Sequence, residues 1–419
     1  MAKKILLVEQ HRNRGFESNL IIGAYLKKIG YRVQFSFTGS QLVKNIVDFK
    51  PDLVYYPWVT KYVYSILKKR NPEVPIVNSF KEQNGILAGS NLNDRLRKNF
   101  KYSDYVLVWG NMIKNKMESE GLDTSKVSIT GVPRFDLYFN EKLQKALVPS
   151  KSEIAAKFKL PLNKKWCLIA LDFPILFQSP KRVNELINRR VYTKEYINQT
   201  QKAYSKLGKW LRKYLSRHSN VLFIIRPHPG SNLKQIKADQ DIEDYDNVRY
   251  ISNGTINKWI INCDKYITRF STSITEAWMA KKSTLLLMKD LLPDDYKNHV
   301  HIKESKFIAN DYIQFEKSLL KDKQYANHNK FLKNYIYKLD GKSCYRTAKA
   351  INKIANRVVV NEYYTSYFLE DNIEKIKANI KVLLNETGLN KYNPFERPNE
   401  EHISSKKITS KLKTIEECI

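Results

Sequence analysis

The sequence predicts an α/β protein of two doubly wound domains facing a cleft, with a helical C-terminal extension. Short apolar, β-branched runs alternate with amphipathic stretches in two successive series, the pattern of parallel βαβ units. The 419 residues, 42 % of them apolar, are long for one core and suit two domains of ordinary size. Two predicted strands also end abruptly in ligand-like chemistry, at Arg226-Pro-His-Pro229 and at Ser271-Thr-Ser-Ile-Thr-Glu276. Open α/β sheets bind ligands at such carboxyl ends.

The first domain is read as residues 1–140. Lys4–Val8 is its opening strand, and Glu17–Ile29 a helix that stops at Gly30. Strand Tyr31–Phe37 and a short helix, Gln41–Phe49, follow. Asp52–Pro57, Pro75–Phe80, Tyr105–Gly110 and Lys126–Gly131 continue the strand series. Residues 141–165 are charged and lack a strand pattern, which reads as a linker. The second domain, 166–357, opens with strand Trp166–Phe173 and a polar, aromatic insertion, Gln178–Gln201. Helix Ala203–Leu215 and strands near Val221, Val248, Tyr266 and Thr284 complete it. Residues 358–419 read as a helical extension, polar enough after Leu389 for a mobile tail.

Bulk properties narrow the function. The formal net charge is +31, which points to nucleic acid, an anionic membrane surface or an acidic small substrate. The lysines are spread along the chain and no RNP, zinc-finger or Arg/Gly pattern accompanies them, so nucleic acid is not expected. Each lysine near anionic lipid contributes about 1 kcal/mol, and a basic face resting on the membrane is the favoured reading. No apolar run approaches the roughly 18–20 residues that span a bilayer. Glu9 interrupts the N-terminal apolar run, which suits a first strand rather than a signal peptide. Cys167, Cys263, Cys344 and Cys418 are dispersed without metal or redox spacing, so a cytoplasmic protein with reduced thiols is expected. A P-loop, a GxSxG elbow, HExxH and an early GxGxxG are all missing, which argues against ATP hydrolysis, triad hydrolysis and hydride transfer.

The two strand ends carry the chemistry. At the first, Arg226 offers a fixed fork for phosphate oxygens, and the imidazole of His228 can carry charge or donate a proton to a leaving phosphate. The plain alternative is a strand-end histidine held in a rigid turn. At the second, the hydroxyls of Ser271, Thr272 and Ser273 open a helix, where hydroxyls and free N–H groups hold anions without a metal. An ordinary N-cap is the alternative there. Together they predict a cleft for a phosphorylated, nucleotide-linked ligand. Asp172 follows a second-domain strand and Asp136 lies in a loop of the first, and either can be a catalytic carboxylate or a turn cap. Arg134, beside Pro133, can reach the cleft or tie the domains together. Asp239-Gln-Asp241 lies in a polar run away from any strand end and reads as a solvated helix end. No catalytic metal or cofactor is expected.

Several stretches together resemble the GT-B glycosyltransferases with paired Rossmann-like domains, and among them bacterial surface-carbohydrate biosynthesis proteins. Capsule Kdo transferases, polysialyltransferases and CDP-glycerol glycerophosphotransferases are more distantly similar. Val8-Glu9 with Arg14, Val108-Trp-Gly110, Thr130-Gly-Val-Pro-Arg-Phe-Asp136, Arg226-Pro-His-Pro229, Ser271–Glu276 and Asp340-Gly-Lys-Ser343 carry the resemblance, in this order. It implies a nucleotide-sugar donor, with a CMP-linked acidic sugar fitting slightly better than a UDP-sugar. The donor would touch Arg226, His228, Ser271, Thr272, Ser273, Glu276 and Lys342. Glu276 would take ribose hydroxyls, and its plain alternative is a first-turn acid. The acceptor, lipid-linked or an oligosaccharide, would meet Glu9, Arg14 and Arg134. Glu82 would be the acceptor base, with His228 and Asp172 as further catalytic groups. Relatives carry an acidic pair before a glycine at this point, whereas Ser79-Phe-Lys-Glu-Gln-Asn-Gly85 keeps one acid. The expectation is a metal-independent glycosyltransferase at the inner face of the membrane. The alternatives are a UDP-sugar 2-epimerase and a catalytically degenerate binding subunit.

Overall fold

The computed structural model of the chain describes residues 2–10, 12–57, 59–79, 97, 100–189, 191–228, 231–321, 325–358, scattered positions between 365 and 380, and 405–419. The chain forms two units, Met1–Leu147 with Leu332–Ile419, and Val148–Phe331.

The first unit holds six parallel strands: β1 Lys4–Glu9, β2 Arg32–Phe37, β3 Leu53–Tyr56, β4 Ile76–Asn78, β5 Tyr105–Val108 and β6 Val127–Ile129. Their order is β2-β1-β3-β4-β5-β6. In β1, Ile5, Leu6, Leu7 and Val8 are all 0 % exposed. Both faces of the strand are therefore covered, which is why the sequence there is a continuous apolar run. Each such side chain contributes about 1.5–3 kcal/mol on burial. The helix Arg12–Lys28 crosses from β1 to β2 and buries Phe16, Leu20, Ile21 and Leu26. Gly30 then takes φ 95°, the left-handed turn that ends it.

The second unit holds β7 Lys165–Ala170, β8 Val221–Arg226, β9 Val248–Tyr250, β10 Lys265–Thr268, β11 Ser283–Leu287 and β12 Ile308–Ala309. Its order is β12-β11-β10-β7-β8-β9, again all parallel. The sheet is doubly wound from β7 outward, so its topological switch lies between β7 and β10. The α/β class, both parallel sheets and the helical C-terminal region agree with the sequence reading.

Several boundaries differ from it. The stretch 141–165 is largely helical, with helices Glu141–Leu147 and Lys151–Phe158. Ser150 and Glu153 form a reciprocal capping box that starts the second of these. The insertion 178–201 is also helical, as Pro180–Asn188 and the start of Lys194–Leu215, capped by Ser179 and Thr193. Residues 332–357 belong to the first unit, not the second. Asp136 explains the attachment: its carboxylate accepts the N–H of Ser343 at 2.8 Å and of Cys344 at 2.6 Å, satisfying the start of helix Ser343–Ala355 from afar. The chain end is packed as well. Leu412 and Ile415 of helix Ser405–Glu416 are buried, and Lys411 pairs with Glu17 at 2.6 Å. The segment 381–404 lies outside the described residues.

Gly110 carries the same attachment, because a Cβ there would meet the carbonyl oxygens of Asn334 at 2.5 Å and Tyr335 at 2.7 Å. Gly110→Ala is therefore expected to destabilise the protein by about 1–3 kcal/mol through overpacking against backbone, measured as a lower urea midpoint.

Candidate functional site

Register defines the site. Ala170 at the end of β7 pairs with Arg226 of β8 on one side and Thr268 of β10 on the other. Because all three strands run parallel, Asp172, His228 and the Ser271–Ser273 turn leave the sheet at the same carboxyl edge. The β8 and β10 exits are two strand spacings apart, about 10 Å.

At the β8 exit, Arg226 is committed to backbone. Its Nη1 donates to the carbonyls of Ile251 at 3.2 Å and Asn253 at 2.7 Å, and its Nη2 to those of Ser252 at 3.3 Å and Gly254 at 2.8 Å. The guanidinium also lies over the Trp259 ring, 5.5 Å from its centroid, and Trp259 Nε1 donates to Asn253 O at 3.0 Å. Burial pulls its pKa down to about 10, so it stays charged at neutral pH. This corrects the phosphate-fork reading: Arg226 fixes the 251–254 loop, in which Gly254 takes φ 80°. His228, two residues on, has an exposed side chain at this edge, and its carbonyl accepts the Ser231 N–H at 2.8 Å. Pro229 and Gly230 lie outside the described residues.

At the β10 exit, the hydroxyls are knitted together. Ser273 Oγ contacts Tyr266 Oη at 2.5 Å and Ser271 Oγ at 2.6 Å, and Ser273 is 9 % exposed. The N–H groups of Ile274, Thr275 and Glu276 already bond to the carbonyls of Ser271, Thr272 and Ser273. The helix Ile274–Met279 is also short. The sequence reading of a seat built from free helix N–H groups therefore fails here. What the turn presents is the half-buried Ser271 and Thr272. Glu276 sits in the first helical turn, 9 % exposed.

Between the two exits, Asp172 faces Arg269, with Oδ2 and Nη1 3.5 Å apart. Burial raises the Asp172 pKa, against the pull of Arg269. Both line a small cavity with Phe173, Thr268 and Met288. Asp172 is therefore enclosed beside Arg269 at the switch point and not open at the sheet edge.

An aromatic column beside this edge escaped the sequence reading. Tyr192 stacks on Tyr196 at 5.1 Å, Tyr196 on Tyr296 at 4.4 Å and Tyr296 on His299 at 5.8 Å between centroids. Phe270, next to the hydroxyl turn, packs on Tyr296 at 5.1 Å and His299 at 5.0 Å. Tyr192 precedes the helix Lys194–Leu215, so no helical period links it to Tyr196 in the sequence. His301 backs the column, 1 % exposed, with Nε2 2.9 Å from Phe270 O. A carbonyl only accepts, so Nε2 carries the hydrogen. Burial pushes the His301 pKa down to about 4.

The first unit presents its own carboxyl edge. Glu9 ends β1, 1 % exposed, and its Oε1 accepts the Gln10 N–H at 2.9 Å. Arg14 lies in the helix Arg12–Lys28. Arg134 lies in the turn Pro133–Tyr138, its guanidinium 5.1 Å from the Trp109 ring and 4.7 Å from the Phe135 ring. A second small cavity there is lined by Tyr55, Ser79, Trp109 and Arg134. Lys342 is exposed but belongs to this unit, which corrects its placement in the donor domain. Glu82 and Gly85 lie outside the described residues. Asp239 and Asp241 are exposed at the end of helix Leu233–Gln240, as the sequence reading had them.

Comparison with known proteins adds the fold. No family model matches the chain, and no curated protein matches it either. Among solved structures, S. aureus MnaA with UDP matches at TM-score 0.55 and 13 % identity, over 87 % of this chain and 100 % of that one. The Neisseria meningitidis UDP-GlcNAc 2-epimerase bound to UDP-GlcNAc matches at 0.55 and 15 %, over 84 % and 100 %. The wall teichoic acid polymerase TagF, in a variant with CDPG, matches at 0.56 and 14 %, over 84 % and 89 %. The fold is GT-B. At these identities the likeness speaks to architecture, and the chemistry rests on the residues above.

His301 supplies a pH test. Its folded pKa lies below the ordinary imidazole value, so the unfolded chain binds the extra proton between about pH 6.5 and 4. Stability is expected to fall by roughly 3 kcal/mol as pH drops through that window. His301→Gln, which keeps a donor for Phe270 O, is expected to lose this part of the dependence in urea titrations at pH 7, 5.5 and 4.

Proposed function

We propose that this protein is a metal-independent GT-B glycosyltransferase that moves a sugar from a nucleotide donor to a cell-surface polysaccharide precursor. The donor lies at the carboxyl edge of the second unit's sheet. The observation that carries this reading is the shared edge of β7, β8 and β10, which puts exposed His228 beside half-buried Ser271 and Thr272. There the imidazole stabilises or protonates the departing phosphate, and the hydroxyls hold its oxygens. Arg226 acts one step back by fixing the 251–254 loop at the same edge, and Glu276 remains the candidate for the ribose hydroxyls. The neighbours' descriptions name UDP, UDP-GlcNAc and CDPG, which supports a pyrimidine nucleotide, with a CMP-linked acidic sugar included in the range.

The acceptor is assigned to the first unit's edge, near Glu9, Arg14 and Arg134, with Glu82 as the base. In an inverting step the acceptor hydroxyl loses its proton to the base and attacks the anomeric carbon, while the sugar–phosphate bond breaks toward the nucleotide. A lipid-linked acceptor and the net charge of +31 make the anionic membrane surface the second partner, approached from the cytoplasmic side. No helix among the described residues is long and apolar enough to cross a bilayer.

A UDP-sugar 2-epimerase is the second reading, supported by epimerase structures matched over their full length. Turnover of UDP-HexNAc without acceptor separates it from transfer.

A thermal-shift panel of CMP, CDP, UDP and GDP is expected to give one preferred pyrimidine nucleotide, raising the melting temperature by about 5 °C near 100-fold excess over Kd. His228→Ala, an exposed substitution, is expected to keep the ligand-free melting temperature and lose the shift and any transfer. Equal shifts in both proteins would contradict the assignment.

A further inference from the structure

We propose that the cavity between Asp172 and Arg269 binds one neutral, hydroxyl-bearing group, which donates a hydrogen bond to the carboxylate and accepts one from the guanidinium. The site needs no nucleotide, and so goes beyond the transferase reading. Its two charged residues are fixed by the fold. Asp172 follows β7 by two residues, and Arg269 directly follows β10, whose Thr268 is level with Ala170 of β7. Arg269 is 2 % exposed, and its Nη2 donates to Leu291 O at 2.9 Å. Its guanidinium lies 5.9 Å from the Phe173 ring centroid and 5.8 Å from that of Tyr196.

This arrangement leaves hydrogen-bonding capacity unspent. Nε and Nη1 of Arg269 and both carboxylate oxygens of Asp172 are buried without a hydrogen bond among the described residues. Nη1 and Oδ2 stand 3.5 Å apart, whereas charged partners in direct contact close to about 2.7–2.9 Å. Buried polar atoms nearly always have a partner, so a cluster of open ones lining one cavity calls for a third group. Thr268 does not supply it, because its Oγ1 donates to Ala170 O at 3.0 Å and accepts the Ser271 N–H at 3.2 Å. The remaining side chains of the lining are apolar. Charge and size identify the ligand. Arg269 repels a cation and Asp172 an anion, so the group is neutral and both donates and accepts. The cavity leaves about 10 Å³ for the centre of a water-sized group, and a water needs roughly 10–15 Å³ on that measure. A hydroxyl fits, and a sugar or base ring does not. Solvent water and a single hydroxyl of a bound ligand share this chemistry. The ligand source rests on the donor reading, through Thr268 in the cavity wall, which holds the Ser271 N–H. The water source does not.

The test is a high-resolution crystal structure of the full chain, alone and with UDP-GlcNAc. One oxygen is expected about 2.7–3.2 Å from an Asp172 oxygen and from Arg269 Nε or Nη1. A water there in both crystals assigns the group to solvent, and its replacement by a hydroxyl of UDP-GlcNAc assigns it to the ligand. Either result supports the site. A dry cavity with the carboxylate closed onto the guanidinium, or an oxygen bound to one residue of the pair alone, would overturn it. Absence of any nucleotide shift would count against the donor reading and leave a water found here standing. Arg269→Met and Asp172→Leu each strand a buried charge and are expected to melt roughly 10 °C below wild type, whereas the double variant recovers most of that loss and crystallises with a dry cavity. An oxygen that stays in the double variant would also overturn the inference, since the pair would not be what holds it. The wild-type crystals decide the matter even where a single variant fails to fold.

Discussion

The pairing of Ala170 with both Arg226 and Thr268 is the constraint on which the second unit's chemistry depends. A parallel sheet places every strand's carboxyl end on one side, and this register aligns three of those ends to within a residue. Asp172, His228 and the hydroxyl turn are far apart in sequence, yet the register brings them to one edge at the switch between β7 and β10. Burial then sorts their roles. Asp172 is held against Arg269 inside the sheet edge, Arg226 is spent on four carbonyls, and His228 stays open to solvent. The residue with the most phosphate-binding character in sequence thus holds a loop through four carbonyls, and the exposed imidazole two residues on is the group proposed to meet a ligand.

The first unit shows the same sorting. Trp109-Gly110, Gly131 and Asp136 carry part of the family resemblance, and in the structure they receive the returning chain. Gly110 admits the backbone of Asn334 and Tyr335, Gly131 lies against Ser343, and Asp136 accepts the first N–H groups of helix Ser343–Ala355. Arg346 extends the joint, bonding Thr130 O at 2.9 Å and Asp340 through both carboxylate oxygens. Residues separated by about two hundred positions therefore fold as one body. Their chemistry serves attachment, and Arg134, stacked on Trp109, is the member of that cluster left facing the edge.

The inner strands were legible because they are buried on both faces and so read as unbroken apolar runs, as Ile5–Val8 and Val221–Ile225 do. β12 was not, since two residues, Ile308 and Ala309, carry no period. The linker reading failed where helix Lys151–Phe158 is short and polar, although its Ser150-x-x-Glu153 box was written in the sequence. The ends of the site were legible as breaks after strands. Their bonding was not, because four carbonyl acceptors for Arg226 come from a loop some 25 residues on, and local sequence does not announce them. The aromatic column was invisible for the same reason: Tyr296 and His299 meet Tyr192 and Tyr196 only in the folded unit.

Hydrogen exchange with and without saturating UDP or CDP tests the donor edge most directly. Slowed exchange is predicted together in peptides covering 226–231 and 269–276, the β8 and β10 exits that the register gathers, and 251–256, the loop that Arg226 holds at the same edge. Protection absent from these peptides, or confined to the first unit, would contradict the account.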